Sequence, residues 1–195
     1  FTGLESILNN PIYCTHLIVS SIHFGKDKKE KPYIHLNNYS PYDKKFIKVW
    51  EDCEKAASKN IKIMIMMGGA GGAYDALFSD FKVYYEMLKN LILKYKFIKG
   101  IDLDIEEGVS LSNVKMLINK IRNDFGKEFI ITMAPVSNSL AYDYPGLGGF
   151  VYKELMKSNE GKEINWFNGQ FYGDYTINIF DEVIMNKYPA EKIVM

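Results

Sequence analysis

Cysteine is nearly absent from these 195 residues, with only Cys14 and Cys53 present. Two cysteines build no disulfide framework. Cys14 falls in an apolar run and Cys53 in a helical pattern, so both read as free buried thiols. A surplus of either charge is also missing, because Lys plus Arg and Asp plus Glu both number 24. A nucleic-acid or membrane-surface partner normally leaves a basic imbalance, so neither is expected. No apolar run approaches the roughly 18 residues of a membrane span. His23 and His35 have no Cys or carboxylate at ligand spacing, which makes them structural histidines and leaves no metal site to predict. The chain opens on Phe1 and closes on Met195 inside an apolar run, so it reads as cropped at both ends. The lack of a leader therefore says nothing about compartment.

Hydrophobic residues at 47 % and charged residues at 25 % predict a globular protein, a single domain over residues 1–195 able to bury a sizeable core. After a connecting segment at 1–11, a branched apolar run at 14–22 predicts a strand buried on both faces. A basic loop follows from Lys26. A helix is predicted over 42–60, with Phe46, Val49, Trp50, Cys53 and Ala57 on one face, and a strand over 61–67. One long helix over 75–96 carries Phe78, Phe81, Tyr85, Leu88 and Ile92 toward the core. Beyond residue 106, a helix bearing Met116, Leu117, Ile118 and Ile121 ends at Gly126. A strand at 129–134, a loop at 137–150, a helix at 151–157, a strand at 166–172, a helix at 179–188 and a strand from Lys192 complete the order. No hairpin signal and no internal repeat interrupt it. Strands alternating with helices predict an α/β fold with a parallel sheet.

The stretch Gly100-Ile101-Asp102-Leu103-Asp104-Ile105-Glu106 stands out by its alternation. Ile101, Leu103 and Ile105 fall on one face of an extended chain, and Asp102, Asp104 and Glu106 on the other. Successive acids then lie roughly 6.6 Å apart along the strand, within reach of shared protons. At ~4 Å and an effective dielectric of ~20, two carboxylates repel by about 4 kcal/mol, so three together leave one protonated. A carboxylic acid kept neutral near pH 7 is a general acid; the bland alternative is a solvated edge strand with an acidic face. A second alternating stretch, Asn168-Gly169-Gln170-Phe171-Tyr172, puts Asn168, Gln170 and Tyr172 on one side. The glycine-rich turn at 68–74 has no Lys-Ser/Thr and no G-x-G-x-x-G, which argues against a phosphate loop. Its glycines suit close approach of backbone to a bulky ligand.

Gly-Ile-Asp-Leu-Asp-Ile-Glu resembles the D-G-x-D-x-D-x-E signature of glycoside hydrolase family 18, and Ile105-Glu106-Glu107-Gly108 is similar to the hevamine-like, class III chitinases in particular. Gly68-Gly69 matches the end of the family's S-x-G-G motif, and Gln170-Phe171-Tyr172 its sixth-strand motif. Two positions depart from the pattern: Lys99 replaces the first Asp and Met66 replaces the Ser. Alternation points Lys99 away from the three acids, and whatever the Ser would bond needs another donor.

The resemblance implies a (β/α)8 TIM barrel, here lacking its first strand and the last strand or strands. It also implies a substrate-assisted retaining hydrolysis of β-1,4-linked N-acetylglucosamine without cofactor, by a secreted monomer. In that scheme Glu106 protonates the glycosidic oxygen, Asp104 orients the acetamido N–H, Asp102 shares a proton with Asp104, and Tyr172 holds the acetamido carbonyl. Gln170, Asn168, Gly68 and Gly69 line the substrate site. A non-catalytic chitinase-like lectin or inhibitor, and an endo-β-N-acetylglucosaminidase acting on N-glycans, are the alternative readings.

Overall fold

The computed structural model describes residues 3–10 and 14–195. A short helix, α1 (Glu5–Asn9), replaces the expected connecting segment. Its cause is tertiary: buried Asp52 accepts from the Leu4 N–H at 3.3 Å, while Ile7 and Leu8 pack on the core. The Pro11 end of that segment lies outside the described residues. The first strand, β1 (His16–Lys26), starts later and runs further than expected, so Cys14 precedes it and is only half-buried. Cys53 is buried, and both thiols are free.

A hairpin then stands where the basic loop was expected. β2 (Pro32–Leu36) pairs antiparallel with β1, from Ile22 opposite Leu36 to Lys26 opposite Pro32. The turn has no Asn-Gly or Gly-Gly to announce it. Asp27 builds it by accepting from the Lys29 and Lys31 N–H groups at 2.7 and 3.0 Å, with Glu30 at φ +58°.

Strands and helices alternate from there: α2 (Ile47–Ser58), β3 (Lys62–Gly68), α3 (Tyr74–Ser79), α4 (Phe81–Lys94) and β4 (Ile98–Asp104). The long helix expected over 75–96 is two, because Asp80 leaves helical geometry (φ −147°, ψ 74°) and caps α4 by accepting from the Val83 N–H at 3.3 Å. α5 (Leu111–Phe125) is capped by Ser110 and stopped by Gly126 at φ +79°. Leu117, Ile118 and Ile121 are its core face, whereas Met116 is exposed. β5 (Ile130–Met133) follows, then the short helices α6 (Ser137–Ala141), α7 (Tyr152–Met156) and α8 (Asn159–Lys162). β6 (Trp166–Asn168), α9 (Ile177–Met185) and β7 (Ile193–Val194) close the described chain.

The strands form one sheet in the order β2-β1-β3-β4-β5-β6-β7, parallel at every pairing except β2 with β1. Five successive parallel pairings among six strands, most joined through helices, make this an arc of the (β/α)8 TIM barrel. Period-two alternation sorts the arc into two faces. Ile63, Ile65, Met67, Ile101, Leu103, Ile131, Met133 and Phe167 turn to the helices and belong to one buried cluster. Met66, Asp102 and Thr132 sit side by side on the other face by register.

Candidate active site

Strand β4 delivers the acid row from the barrel floor toward its mouth. Asp102 is 2 % exposed and Asp104 7 %, while Glu106, beyond the strand end, is half-buried. All three line one cleft of about 820 Å³, together with Met66, Gly68, Gly69, Asn168, Gln170 and Tyr172. A second hollow, lined by Trp50, Tyr95, Lys96 and Lys99, contains none of them. Lys99 is there because alternation turns it outward: its Nζ donates to the Lys96 carbonyl at 2.8 Å. The first departure from the family signature therefore leaves the acids untouched.

Asp102 is held by neighbours on two other strands. Thr132 Oγ1 donates to its Oδ1, and Asn168 Nδ2 donates to the same oxygen at 2.9 Å. The amide cannot be turned round, since its Oδ1 already accepts from the indole N–H of Trp166 at 2.9 Å. Burial pushes the Asp102 carboxyl above its usual range, and these two donors oppose the rise. Both polar ends of Asn168 are thus committed to the site's own framework. Met66, beside Asp102 by register, offers no hydroxyl, and Thr132 and Asn168 supply the donors Asp102 has.

Gln170 does the same one level higher. Its Nε2 lies 2.9 Å from Asp104 Oδ1, 3.1 Å from Glu106 Oε1 and 2.8 Å from the Ala134 carbonyl. The acceptor-only carbonyl fixes the amide orientation. Two amide hydrogens serve at most two of three acceptors, so the arrangement favours a proton on the carboxylate pair. Burial first, then the charges of Glu106 and Asp102, push the Asp104 carboxyl up to about 7. Asp104 thus exchanges its proton close to neutral pH.

The glycine turn shapes this end of the cleft. A Cβ at Gly68 would overlap the Asp104 carbonyl oxygen, and Gly69 donates its N–H to that oxygen at 2.9 Å. Both glycines have positive φ, +100° and +82°. Tyr172 behaves differently from its alternation partners. The ladder of β6 ends at Asn168 and the backbone turns after Gln170, so the Tyr172 ring stands at the cleft rim, 89 % exposed and without a side-chain hydrogen bond among the described residues.

His23 is structural, its Nδ1 on the Gly72 carbonyl at 2.9 Å and its Nε2 on Ser21 Oγ at 2.7 Å. No group of three or more His, Cys, Asp or Glu suited to a metal ion occurs among the described residues.

Sequence reasoning missed Thr132 and Glu107. A signal existed for Thr132, the one polar residue of an otherwise apolar strand. Glu107, whose Oε1 accepts from the Ala73 and Tyr74 N–H groups, stands in the Ile105-Glu106-Glu107-Gly108 motif, but its odd step from the acid row gave it no role.

Carboxylates grouped at the C-terminal end of a parallel barrel strand, lining a cleft at that end, define a barrel of the glycosidase type. The comparisons agree: the profile of Glycosyl hydrolases family 18 matches residues 2–187, and the chain belongs to that family. A fungal endo-β-N-acetylglucosaminidase of family 18 superposes with a TM-score of 0.82 at 32 % identity, covering 92 % of this chain and 65 % of that one. Chitinase ChiC from Aspergillus fumigatus gives 0.86 at 28 % identity, covering 96 % and 68 %. Chitinase 2 from Rhizopus oligosporus is 31 % identical over 120 residues, 49 % of this chain and 21 % of that protein. Chitinase Chi52 from Paenibacillus xylanexedens is 27 % identical over 129 residues, 57 % and 24 % respectively. The chain thus spans a quarter or less of the curated relatives it matches.

Proposed function

We propose that the protein hydrolyses β-1,4-linked N-acetylglucosamine, in chitin or its oligosaccharides, with the acetamido group of the substrate as nucleophile. The observation that carries this reading is Gln170 bridging Asp104 and Glu106, beside an Asp104 that burial and its neighbours' charge push up to about 7. Glu106, outermost and half-buried, is the member able to reach a glycosidic oxygen. It gives its proton to that oxygen as the bond to the anomeric carbon breaks. The acetamido oxygen closes on the anomeric carbon, and Asp104 beneath, ionised once the proton the row shares has gone to Glu106, accepts a hydrogen bond from the N–H and balances the positive oxazolinium ring. Glu106, now ionised, removes a proton from the water that reopens the ring at the anomeric carbon, so configuration is retained. Asp102, steadied by Thr132 and Asn168, sets the charge on Asp104. Tyr172 swings in from the rim to hold the acetamido carbonyl, and Gly68 and Gly69 let the sugar lie close to the backbone. No cofactor is required.

The direct test is cleavage of a fluorogenic chitotriose by the protein and by its Glu106→Gln variant. Turnover in the parent, falling about 10²- to 10⁴-fold in the variant with sugar binding retained, supports the assignment. Equal turnover removes Glu106 from its role.

A second reading, an endo-β-N-acetylglucosaminidase acting on N-glycans, draws on the 32 % identity to the fungal enzyme of that activity. Release of glycans from a high-mannose glycoprotein, with chitotriose left intact, would favour it.

A further inference from the structure

Glu107 follows Glu106 directly, and the odd step turns it away from the acid row. Its Oε1 accepts from two consecutive backbone N–H groups, those of Ala73 and Tyr74, residues that are 1 % and 0 % exposed. The turn it grips is tied elsewhere too, by Gly72 O to His23 Nδ1 at 2.9 Å and by the Gly69 N–H to Asp104 O at 2.9 Å. The acid segment, in contrast, has little to hold it. β4 ends at Asp104, and among the described residues the backbone of 105–108 makes no hydrogen bond until the Val109 N–H reaches Gly148 O at 2.9 Å. Glu106 therefore stands on the one part of the acid row that no ladder supports.

We infer that Glu107 is a positioning residue, clamping the Ala73–Tyr74 turn so that the backbone carrying Glu106 is fixed beneath the scissile bond. The inference rests on the reading of Glu106 as general acid. Adjacent Cα atoms are about 3.8 Å apart across a rigid peptide, so anchoring one leaves the other little freedom. A displacement of about 1 Å at a reacting group can cost about 100-fold in rate. A glutamine carbonyl can accept both N–H bonds in place of the carboxylate, whereas alanine can accept neither. Gly72 offers an independent handle: its φ is +70°, and a Cβ there would run into the Glu107 carboxyl.

Steady-state cleavage of the fluorogenic chitotriose by the parent, Glu107→Ala, Glu107→Gln and Gly72→Ala tests the clamp. Glu107→Ala and Gly72→Ala are expected to lower kcat about 10- to 100-fold with KM within about threefold, and Glu107→Gln to recover most of the loss. A merely structural Glu107 would lower the melting temperature and leave kcat alone. A folded Glu107→Ala with parental kcat, or a Glu107→Gln as impaired as Glu107→Ala, overturns the inference. If the parent binds chitotriose without cleaving it, the proposed activity fails and the clamp is judged separately. Slow amide exchange at Ala73 and Tyr74 in the parent is expected to turn fast in Glu107→Ala, and unchanged exchange overturns the inference.

Discussion

Asn168 donates its amide hydrogen to Asp102 across 66 residues of sequence, at 2.9 Å and on the floor of the cleft. An asparagine that the family resemblance places in the substrate site is thereby occupied in holding the deepest acid. Thr132 shares the task from the strand between them. The acid row is therefore a cross-strand assembly, with β5 and β6 supplying donors and β4 supplying charges.

Asp104 makes stability depend on pH in a direction unusual for a carboxylate. Its folded value near 7 lies above the unfolded value of about 4. Its stabilising contribution is complete below about pH 4 and is lost as the pH rises through 7. Asp104→Asn removes the buried charge, so it should be more stable than the parent by roughly 2–4 kcal/mol at pH 8, the gap closing at pH 4. Urea unfolding at both pH values measures this, and an equal gap at each would refute the charge-burial account.

Thr132→Val keeps the shape and deletes one donor to Asp102. Losing that donor raises the Asp102 carboxyl further, since the hydroxyl bond lowers it. The cost, about 1–3 kcal/mol, should appear at pH 8 and shrink as the pH falls. With Asp102 more often neutral, less charge pushes on Asp104, and the basic limb of kcat/KM should move to lower pH. A pH–rate profile identical to the parent's would contradict the coupling.

Among the described residues the Tyr172 hydroxyl has no hydrogen-bond partner, and its ring is 89 % exposed. Tyr172→Phe should change stability by less than about 0.5 kcal/mol. Because the proposed role begins only with substrate bound, kcat should still fall about tenfold. Thermal unfolding and chitotriose kinetics together decide it, with an undiminished kcat leaving Tyr172 a rim residue.

Lys99→Asp restores the residue of the family signature. The side chain points outward onto the Lys96 carbonyl, so the change should alter kcat/KM by less than about twofold. A larger effect, or a shifted pH profile, would mean that the charge at this position reaches the acids.

The sequence by itself determined the alternation of strands and helices, the two faces of β4, the outward turn of Lys99 and the depth order of Asp102, Asp104 and Glu106. These follow from a period of two and from apolar spacing, which are local properties of the chain. Tertiary structure decided what local pattern does not encode. The helix at Glu5–Asn9 depends on Asp52, distant in sequence, whereas the hairpin of β2 and the break at Asp80 rest on short-range bonds of Asp27 and Asp80 that apolar spacing does not announce. The partners of each carboxylate were settled in the same way. Asp102 meets Thr132 and Asn168, and Glu107 meets Ala73 and Tyr74, only because parallel strands bring distant segments into register. Hydrogen bonding between side chains depends on distances in space, and the sheet sets those distances only once the arc of the barrel has formed.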